Sequence, residues 1–294
     1  MKRWREALRE RRVVLSGGLL LILALASFAV PALATLFGGD LDAVELYHRL
    51  APPSFAHPLG TDEIGRDLLL RLLEGGRVSL LVGMTAAIAA AAFGTAIGLV
   101  AGYRGGRLDA TLMRLTDGMI ALPLLPLLVV LGALDLRKLG IPAALADSDA
   151  ISLYRIIALV AFVGWTTVAR IVRGATLSLK TRDFVRAAQA LGATTGRVML
   201  VHILPNLASP IIVATTLAVG EIILLESVLS FLGVGVAPPI ATWGNMLTGA
   251  QETIGEAPQL ALYPGLLIFI TVIACNFLGD GLQDALDPRA ERRA

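Results

Sequence analysis

The chain has 294 residues, 56% of them hydrophobic and only 16% charged, at a mean hydropathy of +0.75. Water-soluble domains carry about 25% charged residues, so this composition excludes an ordinary soluble enzyme and makes a bilayer the solvent. The net charge of +2 gives no footing for a nucleic-acid partner, and the single Cys275, set in an apolar run, cannot make an internal disulfide.

The opening MKRWREALRERR carries six cations and is followed by an apolar run over 13–37. Ala32, Leu33 and Ala34 imitate a signal-peptide cleavage site. The run is nevertheless longer than the ~7–15 residues of a signal sequence and long enough to cross a ~30 Å core, so it is expected to be an uncleaved anchor with its N-terminus in the cytoplasm. A polar stretch over 38–77 holds a short helix expected to start at Thr61 or Asp62, with Ile64, Leu68, Leu69, Leu72 and Leu73 at helical spacing.

The second span is expected over 78–102. Ala86, Ala90, Gly94, Gly98 and Gly102 recur every four residues, which lines one face with atoms small enough for another helix to reach backbone contact; Leu99 is placed on a different face. A basic loop with Arg104, Arg107 and Arg114 leads to a third span over 115–134, bent by Pro123 and Pro126. A fourth is expected over 151–169, a fifth over 209–234, then a polar, glycine-rich loop, a sixth span over 260–278 and the tail DPRAERRA.

Six spans place both ends on one side. Eighteen of the 25 Lys and Arg residues then fall on the cytoplasmic side, in the N-terminal tail, the 104–114 loop, the 170–197 region and the C-terminal tail, as positive-inside sorting requires. The expected division is an N-terminal part over 1–77, a core over 78–284 and a cytoplasmic tail over 285–294.

The long polar interruption between the fourth and fifth spans is TRDFVRAAQALGATTGRVMLVHILP, residues 181–205. Thr181 or Asp183 is expected to cap a short helix that Gly192 ends in a left-handed turn; Thr194 or Thr195 starts a second one, and Pro205 bends the chain into the next span. Ala187 and Ala188 would let a partner approach closely, with Arg182, Arg186 and Gln189 as polar labels. The result is a compact knob suited to docking.

Within these residues, RAAQALG followed after a gap by HILPN resembles the cytoplasmic EAA loop of inner-membrane permease subunits of ATP-binding-cassette importers, with Ala187, Ala188, Gly192, Leu204 and Pro205 on the motif positions. Arg186 stands where the motif has its acid, and His202 where it has isoleucine. HPLGTDEIGRD (57–67), SFLGVGVAPP and WGNML (230–247) are similar to the branch serving dipeptides, oligopeptides and nickel, and the resemblance covers most of the chain from about residue 57. It implies an all-α membrane protein of six transmembrane helices with the type I importer permease fold, located in the cell's inner membrane. It also implies work beside a second, similar permease, two ATPases and an extracytoplasmic solute-binding protein. The loop holding Asp183, Arg186, Ala187, Ala188, Gly192, Leu204 and Pro205 would then insert into an ATPase groove.

No GxxxxGK[ST] phosphate loop occurs, so ATP and magnesium would be held by the partner ATPases and no cofactor by this chain. His48, His57 and His202 are scattered and lack metal-ligand spacing, and no catalytic set is present. Two carboxylates, Glu221 and Glu226, lie inside the fifth span, where an ionised group costs ~2.5–3.5 kcal/mol and must face protein or water. They either line an aqueous path for an amine-bearing solute or hydrogen-bond neighbouring helices. The rival functions are an ion-coupled transporter using these two carboxylates and a membrane scaffold that moves nothing. Asp117 is expected at a membrane boundary, and Asp280 and Asp284 in local caps or ion pairs with the basic loops.

Overall fold

The computed structural model describes residues 10–37, 44–146 and 148–286. The N-terminal cations up to Arg9 and all but the first two residues of the 285–294 tail lie outside them. No β-strand is present among the described residues, only an isolated bridge between Thr61 and Asp67. Five helices are long and apolar enough to cross a membrane, and a sharply bent helix pair makes a sixth crossing if counted as one.

The first span is two helices, α1 (Arg11–Phe28) and α2 (Val30–Phe37), joined at Ala29. The helix expected from Thr61 instead starts at Leu68, because the preceding side chains are spent on a turn. Asp62 Oδ1 accepts from the amides of Ile64 and Arg66 at 3.0 and 2.9 Å, its Oδ2 accepts from Arg66 Nε at 2.7 Å, and Asp67 caps the helix by accepting from Leu70 N at 2.9 Å. From that cap α3 runs unbroken over Leu68–Arg104, 37 residues, so Arg77 and Val78 are consecutive helical residues.

The next stretch breaks where Pro123 removes an amide donor. Helices α4 (Gly106–Ala121) and α5 (Leu124–Gly132) meet at 84°, a sharper turn than a bent single span, and α4 begins well before residue 115. The fourth span, α6 (Asp149–Leu179), continues some ten residues beyond Ala169. Arg173 donates to both carboxylate oxygens of Asp109 at 2.5 and 2.7 Å, and Arg170 to Asp117 at 2.5 Å, fastening α4 to this extension.

Helix α3 is the axis of the bundle. Its small-residue row faces α6, and the fit is to backbone: a Cβ on Gly94 would lie 2.5 Å from Trp165 O, and one on Gly98 2.4 Å from Ala169 O. Leu99 is buried too, against Val168 and Val172 of α6, so the neighbouring position does not escape the interface. On its other side α3 packs against α8 (Ala208–Phe231) and α1, and α8 packs against α10 (Gln259–Leu286). Asp284 pairs with Arg12 of α1 at 3.7 Å, an exposed contact with the first helix and not with the basic loops.

The segment after α8 is not a plain loop. It contains α9 (Trp243–Thr253), started by a capping box in which Thr242 Oγ1 accepts from Asn245 N and Asn245 Oδ1 from Thr242 N. Trp243 is buried, and its Nε1 donates to Leu72 O at 2.9 Å. This tuck closes the end of the bundle at which α3 begins and α8 ends.

Candidate coupling site

The chain between α6 and α8 forms one compact unit. Helix α7 (Asp183–Ala190) begins after Arg182, whose extended backbone occupies the cap position with no side-chain cap. Neither expected cap is used: Thr181 donates back to Ser178 O at 3.0 Å, and Asp183 is already inside the first turn, where its charge favours the helix's positive end. At the other end Gly192 has φ +84°, Ala193 N donates to Ala188 O at 3.0 Å and Gly192 N to Gln189 O at 2.9 Å. This is the Schellman stop expected of a glycine there. Thr194 then caps the following turn by accepting from Arg197 N at 3.4 Å.

Pro205 does not end the element that follows. The chain widens into a π-helical stretch over Val198–Ile203, tightens into a 3-10 turn over Leu204–Leu207, and passes on into α8. Such a bulge re-routes carbonyls that a proline leaves without a donor; here Asn206 Nδ2 donates to His202 O at 2.7 Å. The loop therefore hands over to α8 as one continuous run of helical turns.

What the unit buries and what it presents are different residues. Val185 of α7 packs with Val198, Ile203 and Leu207 in a cluster that also holds Ala91 and Leu99 of α3 and Val168 and Val172 of α6. Ala188 lies on this inner side, 8% exposed, which corrects the expectation that it faces a partner. Ala187 is exposed, as are Arg182, Asp183, Arg186, Gly192 and Pro205, while Leu204 is half-buried against the cluster. Two anchors complete the attachment: Lys180 Nζ donates to Gly102 O at 2.9 Å, and Gln189 Nε2 to Tyr103 Oη at 3.1 Å. Gln189 thus ties the knob to the end of α3.

The outward surface carries apolar residues that sequence reasoning missed. Phe184 is 42% exposed and Leu191 88% exposed, with Ala187 between them. Positions 184, 187 and 191 share one helix face by spacing, a signal that the sequence itself carries. A leucine held out on a rigid turn is an exposed apolar side chain that burial in a pocket on another protein would favour.

Glu221 and Glu226 are separated by the fold. Glu226 is fully buried between α8, α3 and the start of α9: Ser230 Oγ donates to its Oε1 at 2.7 Å and Ser79 Oγ to its Oε2 at 3.4 Å. Ser79 Oγ in turn accepts from Trp243 N at 3.2 Å. These contacts are those of a clamp between helices. Glu221 faces outward from this chain on the same helix as the exposed Leu224. Among the described residues no group of three or more His, Cys, Asp or Glu side chains could hold a metal ion.

Comparison with known proteins supplies the family. The family model described as binding-protein-dependent transport system inner membrane component matches residues 94–292, which includes the whole knob. The oligopeptide transport system permease protein OppC of Bacillus subtilis is 35% identical over 98% of this chain and 90% of its own length. The dipeptide transport system permease protein DppC of Alkalihalophilus pseudofirmus is 37% identical over 97% and 90%, and the glutathione transport system permease protein GsiD of Pectobacterium atrosepticum 37% over 97% and 90%. The neighbouring functions, an ion-coupled carrier and a silent scaffold, find no support among them. This helical bundle, matched over nearly its full length, belongs to the family of binding-protein-dependent inner-membrane transport components, as a non-catalytic permease subunit in the inner membrane.

Proposed function

We propose that this permease subunit imports short peptides, together with a second similar permease, two ATPases that hold ATP and magnesium, and an extracytoplasmic solute-binding protein. The observation that carries the coupling role is the two-sidedness of the knob, which buries Val185 in a cluster shared with α3 and α6 and covers Ala188 while holding Leu191 out. Closure of the ATPases on nucleotide would push on that outer face. Because α7 shares a packed cluster with α3 and α6, and the helical turns that follow it from Thr195 run directly into α8, such a push is passed to three spans as a rigid-body shift and not absorbed in a floppy loop. Arg186, in place of an acid, would meet an acidic residue on the partner. The core over 78–284 would do this work, with 1–77 as an anchor and outer segment and 285–294 as a tail.

The orientation follows from charge sorting, with both termini and the knob in the cytoplasm. Single cysteines at Arg107 and Gly196, both exposed, are expected to be shielded from an impermeant thiol reagent in intact cells, while one at the exposed Gly255 reacts. Labelling at Gly196 from outside would end this topology.

Energy coupling has its own test. Glu226 is engaged as an interhelical clamp, which leaves Glu221 as the carboxylate able to line a path. With ATP held constant, uptake by the Glu221→Gln variant is expected to continue when an uncoupler collapses the proton gradient. Uptake that stops under those conditions would point to proton coupling instead.

A further inference from the structure

Two of the stretches singled out in the sequence, 57–67 and 230–247, are not used by the knob, yet they fold onto each other at the opposite end of the bundle. Between them lies a cavity of about 630 Å³, within the ~300–1,000 Å³ range of small-ligand sites. The turn that precedes α3 supplies Asp62, Glu63 and Arg66; the first turn of α3 supplies Arg71, α6 supplies Arg155, and α9 supplies Glu252. Since these residues stand at the start of α3 and α6, whereas the knob joins the end of α6 to the start of α8, the cavity opens on the side away from the ATPases.

Its charges are matched but not mutually spent. Three guanidinium groups face three carboxylates, so the lining has no formal net charge. Asp62 and Arg66 are committed to each other at 2.7 Å, and Arg71 Nη1 donates to Pro239 O at 3.3 Å, which makes a fixed polar floor. Arg155 and Glu252, from different helices, have no ion-pair partner among the described residues, and Glu63 reaches Arg66 only at 3.9 Å. A cation would meet the arginines and an anion the carboxylates. A small molecule carrying one charge of each sign at its two ends meets complementary groups at both, the arrangement that gives electrostatic discrimination.

We propose that this cavity is a binding site for a zwitterionic short peptide at the outer mouth of the permease, with the peptide's ammonium group toward Glu252 and Glu63 and its carboxylate toward Arg155. This deepens the reading of the chain as a peptide permease and rests on it. A loop of the solute-binding protein is the competing occupant. It would be a larger body entering a cavity whose exposed charges lie on two separate helices, and it would have no need of both.

The test uses the complex of both permeases and the ATPases in lipid nanodiscs, without the binding protein, and radiolabelled dialanine as probe. Dialanine is expected to bind saturably, and to bind at least about tenfold more weakly when N-acetylated or when converted to its C-terminal amide, each change removing one charged hydrogen-bonded end. Arg155→Gln should abolish the penalty for the amide alone, and Glu252→Gln should reduce the penalty for acetylation alone. Such a cross-pattern is one that a merely structural role for either residue would not produce. No saturable binding, unaltered penalties in both variants, or binding that appears only when the binding protein is present would each overturn the proposal. Dipeptide uptake by the complete transporter separates the two readings. Uptake without cavity binding removes only the cavity site, whereas a complete transporter that takes up no peptide removes the peptide reading on which it rests.

Discussion

Replacing Leu191 by glutamate is expected to lower ATP-driven uptake by about 30-fold or more while leaving the amount and thermal stability of the protein in the membrane unchanged. The side chain is 88% exposed and contributes nothing to the chain's own core, so its loss has no folding consequence. Seated in a partner's pocket it would be buried, and burying a leucine side chain is worth ~2 kcal/mol, which is about 30-fold in affinity. A carboxylate in its place must also be desolvated on docking. The measurement is co-purification of the ATPases and ATP-dependent uptake in proteoliposomes. Ala188→Glu supplies the contrast: it puts a charge at a buried position of α7 and is expected to reduce the folded protein itself. If Leu191→Glu assembles and transports normally, the outer face of the knob is not the docking surface.

The inner and outer faces of the knob show how far sequence reasoning reached. Gly192 was readable because a left-handed helix stop nearly demands glycine, and the spacing of Gly94, Gly98 and Gly102 because a repeat of four on a helix selects one face. Both signals are local. The orientation of Ala187 and Ala188 was not readable, since two adjacent alanines differ by ~100° around the helix and only the position of Val198 and Ile203, brought back by the following turns, decides which one is covered. The cap at Asp183 failed for a related reason: three candidate polar residues in a row leave the start of the helix undetermined, and the Thr181 hydroxyl bonds to the preceding helix.

Long-range packing accounts for the rest. Helix α9 is short and contains glycines, and it is held by the burial of Trp243 against Leu72, some 170 positions earlier. No window of sequence around WGNML contains that partner. The division between Glu221 and Glu226 is of the same kind. Five residues separate them by ~140° around the helix, so they could not share a face, but which of them points inward depends on where Ser79 of α3 lies.

Gly98→Leu is expected to leave almost no assembled transporter. A Cβ at this position alone would lie 2.4 Å from Ala169 O, 2.9 Å from Val172 Cβ and 3.0 Å from Arg173 N, and two of these three are backbone atoms of α6 that cannot turn aside. Overpacking a close-fitted interior by a few methylenes costs ~1–3 kcal/mol when side chains can shift. Where backbone meets backbone the helices must separate, and with them the contacts of Gly94 and Gly102 in the same row. Gly98→Ala should already lower the thermal midpoint in detergent. Leu99→Ala is not a neutral comparison, because Leu99 is buried against Val168 and Val172 and its truncation opens a cavity worth ~2–5 kcal/mol. The suitable control is Ala96→Leu, on the exposed side of α3, which should be tolerated. Size-exclusion profiles of the three variants decide the matter: equal yields for Gly98→Leu and Ala96→Leu would mean that α3 and α6 do not meet at this row, and the coupling of the knob to the spans through their shared cluster would lose its support.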